Sequence, residues 1–192
     1  PVDAITYNEY GLSVINKDKC IRCGKCIHSC PFGAIGTKSF MVPVIEALKS
    51  GKHVYAMAAP ATEGQFGPDI TMASWRKAMK EIGFVDFYDV GLGGDMTAAY
   101  EAEEWTEAYK EGKKKVTSCC PAFVNMVRMH FPQLADCVST TVSPMCAVSR
   151  LIKAQDPEAV TVFIGPCVAK KSEVVDQQIE GNADFVLTYS EI

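Results

Sequence analysis

Four cysteines fall within eleven residues, as Cys20-Ile21-Arg22-Cys23-Gly24-Lys25-Cys26-Ile27-His28-Ser29-Cys30, and Pro31 follows directly. No other feature limits the fold as tightly. Spacing of this kind points to metal ligation in a reducing compartment, not to a disulfide framework. Five more cysteines lie far downstream, at Cys119, Cys120, Cys137, Cys146 and Cys167, which makes nine, a high and odd number.

The 192 residues can bury one sizeable core, with a small appendage. Hydrophobic content of 48% with 22% charged residues describes a soluble globular chain. A net charge of −4 gives no basic footprint, so nucleic acid is not an expected partner. No apolar run reaches the ~20 residues of a membrane span. Reduced thiols favour a cytoplasmic location. The chain starts at Pro1 without an initiator methionine and reads as truncated there, so the lack of a leader says nothing about location.

The cysteine run resembles the C-x2-C-x2-C-x3-C-P of bacterial ferredoxins, in which three thiolates hold three corners of a [4Fe–4S] cubane and the fourth serves a neighbouring cluster. A structural zinc site would ordinarily pair two separated C-x2-C knuckles. Pro31-Phe-Gly-Ala34-Ile35 also echoes Pro1-Val-Asp-Ala4-Ile5 thirty residues earlier. The resemblance then implies that Cys20, Cys23 and Cys26 bind one cluster whose last ligand precedes Pro1. Cys30 would serve a second cluster, and residues 1–39 would form a partial ferredoxin-like module.

Beyond Thr37 the pattern becomes α/β, over a domain taken as residues 40–192. Strands are predicted at 53–59, 84–90, 115–118, 160–164 and 185–188. Helices are predicted at 69–82, 95–110, 121–130, 144–154 and 169–180, with Gly91–Gly94 as a turn. This alternation argues for a mostly parallel sheet flanked by helices. Ligands of such sheets collect at the carboxyl ends of strands, where Pro60, Cys119 and Cys167 are expected.

Two stretches carry the chemistry. Thr117-Ser118-Cys119-Cys120-Pro121 opens a helix whose N-terminus favours anions. A lone Cys-Cys is more often a pair of small apolar side chains. Adjacent thiols point apart, however, which suits one ligand and one free sulfur. Pro166-Cys167-Val168-Ala169-Lys170-Lys171-Ser172-Glu173 is the second stretch. Together they resemble T-S-C-C-P and P-C-x-x-K-x-x-E, two of the three signature motifs of [FeFe]-hydrogenases. The resemblance covers nearly the whole chain, because a ferredoxin-like module precedes the catalytic domain in many members.

The resemblance implies reversible 2H⁺ + 2e⁻ ⇌ H₂ at an H-cluster, a [4Fe–4S] cubane joined to a two-iron unit with CO, CN and a bridging dithiolate. Cys120 and Cys167 would hold the cubane, Lys170 would donate to a cyanide, and Ala59, Pro60, Gly165 and Pro166 would line the two-iron pocket. The alternative for Lys170 is an ordinary exposed lysine like Lys171. Cys119 would carry protons, in a relay with Glu104, Ser139 and Glu107 whose carboxyls have raised pKa values. The bland alternative is one solvated acidic face made by Glu101, Glu103, Glu104 and Glu107. Implied partners are ferredoxin or another redox protein, H₂ and protons, and maturation proteins.

Departures from the family pattern are Gly165 in place of a common methionine, and Met145-Cys146 in place of paired glutamines. Cys137 and Cys146 are expected as buried free thiols; His28, His53 and His130 are expected to be isolated. No cysteine follows Cys167, so the third motif is absent and the fragment alone is expected to be inactive. A hydrogen-sensing homologue, an iron–sulfur assembly or scaffold protein, and a plain electron-transfer module are the rival readings.

Overall fold

The computed structural model describes residues 2–192; Pro1, with which the repeat expectation begins, lies outside them. Its centre is a four-stranded sheet in the order β4-β3-β5-β6, formed by β3 (Val54–Ala58), β4 (Phe87–Asp89), β5 (Val160–Ile164) and β6 (Phe185–Leu187). Every neighbouring pair is parallel, with Val54 opposite Val160 and Val162 opposite Phe185. Strands buried on both faces need continuous apolar runs, and Val54, Ala56, Met57 and Ala58 are all fully buried.

Helices cover both faces. On one side α2 (Met41–Lys49) and α3 (Met72–Ile82) bring Val44, Ala47, Trp75 and Met79 onto Val162 and Ile164. On the other, α6 (Pro144–Gln155) brings Met145, Val148 and Ile152 onto Met57, Phe163 and Val186. Each helix start has a local cause. Thr71 caps α3 through the Ser74 N–H, and Ser143 caps α6 through the Cys146 N–H with Pro144 in the first turn. A proline three residues into α2 costs nothing, because first-turn N–H groups have no helical partner.

Several expectations need correction. Helix α4 (Gly91–Lys110) starts four residues early, so Gly91–Gly94 is its first turn. A Cβ on Gly93 would stand 2.2 Å from the Pro144 carbonyl oxygen, and its absence lets α4 close onto α6. The strand expected at 115–118 is one isolated bridge between Val116 and Val138, outside the sheet. The Thr117 and Ser118 hydroxyls are turned instead to Glu101 and the Thr141 carbonyl. Helix α7 spans only Lys170–Glu173, because the Asp176 carboxylate takes the Gln178 N–H in a turn. Helices α2 and α1 (Lys25–Ser29) and the hairpin of β1 (Ile5–Tyr7) with β2 (Ser13–Ile15) were not anticipated.

Candidate iron–sulfur site

Strands β3 and β5 end side by side, and the loops leaving them define the edge of the site. Ala59 N donates to the Ile164 carbonyl at 2.9 Å, and Gly165 N to the Leu187 carbonyl at 3.0 Å. Ala59 and Gly165 therefore touch: a Cβ on Gly165 would lie 3.0 Å from Ala59 Cβ and 2.8 Å from the Phe163 ring. No larger residue enters position 165 unless Phe163 moves. Pro60 and Pro166 are exposed beyond these contacts. Cys119, in contrast with Pro60 and Cys167, does not follow a strand of the sheet.

The two motif stretches nevertheless meet. Lys170 Nζ donates to the Cys119 carbonyl at 3.2 Å and to Glu173 Oε2 at 2.6 Å. Two of its three protons are thus placed, and the side chain is 10% exposed. Glu173 is held in turn by the Ser143 hydroxyl, and its carbonyl accepts from Asn182 Nδ2. Cys120 stands at the N-terminal boundary of α5 (Pro121–His130) without a side-chain capping bond, Cys167 precedes α7, and all nine cysteines are free thiols. A cleft of about 1110 Å³ opens beside this junction, lined by Cys20, Ser118, Pro121, Ser139, Ser143 and Glu173. Ala59, Pro60, Gly165 and Pro166 do not line it. Lys171 is not an exposed lysine; it is as buried as Lys170.

The acidic helix divides differently from its expected register. Glu107 is exposed, whereas Glu101 and Glu104 are half-buried. Glu101 Oε1 accepts from Thr117 Oγ1 at 2.8 Å and from Ser118 N at 3.3 Å, directly beneath the Cys119 loop. Glu104 Oε1 accepts from both Thr140 N and Thr140 Oγ1, and its buried Oε2 has no partner among the described residues. Burial pushes the Glu104 carboxyl up. The nearby Ser139 hydroxyl, the Thr140 hydrogen bonds and the Lys115 charge outweigh that and leave it below the usual value. The expected upward shift is not seen there.

The four-cysteine loop fits a cluster. Arg22 and Gly24 take positive φ (59° and 75°), which turns the chain tightly between Cys20 and Cys26. Backbone N–H groups of Ala34, Phe32, Ile35 and Gly33 point at the Cys30 sulfur and lower its pKa. Among the described residues no three His, Cys, Asp or Glu side chains converge on one metal ion. A Cβ on Gly24 would stand 2.2 Å from Val168 Cγ2, so the loop lies against the residue next to Cys167. Helix α5 pins it from behind, with His130 Nε2 donating to the Lys19 carbonyl at 2.9 Å. His53 is also engaged, on Asp156 at 2.7 Å. Cys146 is fully buried, and burial raises its pKa; Cys137 is only half-buried. Glu101, Thr140, Ser143 and Lys171 escaped sequence reasoning because each acts through contacts between segments far apart in the chain.

A parallel α/β domain with thiols at its loops, docked on a ferredoxin-type turn, defines an iron–sulfur class of protein. Residues 52–192 match the family model of the iron only hydrogenase large subunit, C-terminal domain, and residues 13–36 match a 4Fe-4S binding domain. The chain belongs to the iron-only hydrogenase large-subunit family. It is 29% identical to the NADP-reducing hydrogenase subunit HndD of Solidesulfovibrio fructosivorans, over 90% of this chain and 34% of that one. It is 32% identical to iron hydrogenase 1 of Clostridium pasteurianum, over 84% and 32%. It is 30% identical to the periplasmic [Fe] hydrogenase large subunit of Nitratidesulfovibrio vulgaris, over 93% and 56%. The chain thus spans between 32% and 56% of the length of these relatives. No helix among the described residues is long and apolar enough to cross a membrane.

Proposed function

We propose that this chain is part of an [FeFe]-hydrogenase that interconverts 2H⁺ + 2e⁻ and H₂, with residues 1–39 as a partial ferredoxin-like module and 40–192 as the N-terminal part of the H-cluster domain. The observation that carries the reading is the Lys170–Cys119 hydrogen bond, which joins the two thiol-bearing motifs. When bound, the H-cluster supplies the redox chemistry. Cys120 and Cys167 would hold its cubane, and Cys20, Cys23 and Cys26 a ferredoxin-type cluster, with Cys30 serving a second. Lys170 keeps one proton free for an anionic ligand.

Cys119 is the exposed thiol that carries protons. The contacts favour a relay of Cys119, Glu101, Ser139 and Glu104 over the register ending at Glu107. Glu101 sits under the thiol's loop, and Ser139 is buried beside Glu104, whose lowered pKa keeps it an ionised acceptor of hydrogen bonds in this state. Electrons would arrive from a ferredoxin or another redox protein. A hydrogen-sensing role is the second reading, favoured by the Phe163 ring that leaves no room for a larger residue at position 165.

The test is to mature the protein that contains this chain, record infrared bands of bound CO and CN, and measure hydrogen evolution. Bands with turnover are expected. Bands without turnover would support the sensor, and neither would reject both readings. The 192-residue fragment alone is expected to evolve no hydrogen.

A further inference from the structure

We infer that Lys171 is a positioning residue that clamps the four-cysteine loop in register with the Cys167 loop, an inference that rests on the iron–sulfur reading above. Its ammonium is buried and spends all its protons across a junction of three segments. Lys171 Nζ donates to Thr37 Oγ1 at 3.0 Å, to the Lys38 carbonyl at 3.1 Å and to the Glu191 carboxylate at 2.8 Å. Thr37 and Lys38 directly follow the ferredoxin-type stretch, and Glu191 closes the short turn Tyr189–Glu191 after β6. That turn is itself fixed, because Thr188 N and Oγ1 both donate to Glu191 Oε2 at 2.8 Å. The Phe40 ring lies 6.0 Å beneath the ammonium.

Apolar packing does not explain the docking. A cavity of about 580 Å³ remains between Ile27, Thr37, Pro166, Val168 and Glu191. The module is therefore tied to the motif at two kinds of point. Gly24 rests on Val168 by shape alone, and Thr37–Lys38 are tied to Lys171 by charge and hydrogen bonds. Because Val168 and Lys171 are three apart, the turn leading into α7 and the start of that helix set both contacts and, with them, the spacing between the Cys20–Cys26 loop and Cys167. Lys170 and Lys171 divide the work: the first joins the two thiol motifs of the body, the second joins the body to the cluster loop. A buried pair of this kind need not add net stability and is better suited to fixing an arrangement.

The experiment compares wild type with Lys171→Met and with Lys171→Met/Glu191→Gln, the double variant leaving no uncompensated charge. Amide hydrogen exchange is read on the purified protein. Amides 37–41 should exchange at least tenfold faster in both variants, while those of β5 stay protected. On cluster-loaded protein, dye-linked hydrogen uptake sends two electrons per H₂ between the sites to the dye and should fall about tenfold. Hydrogen–deuterium isotope exchange, which needs no such transfer, should be unchanged. Unaltered exchange at 37–41 in the double variant, or equal loss of both activities, overturns the inference. If wild type lacks isotope exchange, the hydrogenase reading fails, and amide exchange still decides the clamp.

Discussion

Lys170 turns to the Cys119 carbonyl and Glu173, while Lys171 turns the opposite way to Thr37 and Glu191. Neither lysine can be spared cheaply. Glu173 has a side chain only 6% exposed, and Lys170→Met would leave its carboxylate charged and without a cation. Breaking a buried pair from one side costs about 3–5 kcal/mol. Urea denaturation should show that loss, and Lys170→Met/Glu173→Gln should recover most of it. The motif spacing marked Lys170 as special but could not do the same for Lys171, because an isolated lysine reads as solvated until its acceptors are known. The carboxylates show the same limit. Glu101 with Glu104, and Glu104 with Glu107, are both three apart on one helix, so periodicity offers two equivalent registers. The approach of Thr117 to Glu101 and the exposure of Glu107 set them apart only in the folded chain.

Elements were legible where local causes dominate. The predicted helix at 121–130 and strand at 160–164 match α5 and β5, for Pro121 starts one and a buried β-branched run makes the other. Misreadings came where tertiary contact overrides local preference. Gly91 to Gly94 reads as a turn by propensity, yet it is helical because a glycine is needed where α4 crosses α6. Gly93→Ala should force Pro144 and α6 away and cost about 1–3 kcal/mol. Thermal melts should then drop by roughly 2–4 °C per kcal/mol for a chain of this length. Gly94, with nothing within 4 Å of its Cβ position, is the control, and its alanine variant should be neutral or stabilising. The segment at 115–118 failed for a related reason, since its threonine and serine hydroxyls spend their hydrogen bonds off the sheet.

For the whole molecule, the junction between cluster loop and body should respond to acid. Burial alone would raise the Glu191 pKa. The Lys171 ammonium, the Ser39 hydroxyl and Thr188 instead pull it from 4.5 to about 2. Its contribution is therefore complete above about pH 4.5 and fades as the pH falls toward 2. Denaturation midpoints across that window should fall for wild type and stay flatter for Lys171→Met/Glu191→Gln. The sheet order has a consequence of another kind. Strand β3 meets β4 about thirty residues later but β5 only about a hundred residues later, so one of its edges stays unpaired until that second partner has been made. The Cys20–Cys30 loop precedes these strands, whereas Gly165 is seated by the Leu187 carbonyl, about twenty residues further along the chain. The Cys167 face is consequently completed only after β6 has been made, and any iron delivered there must come to a chain already synthesised through Leu187.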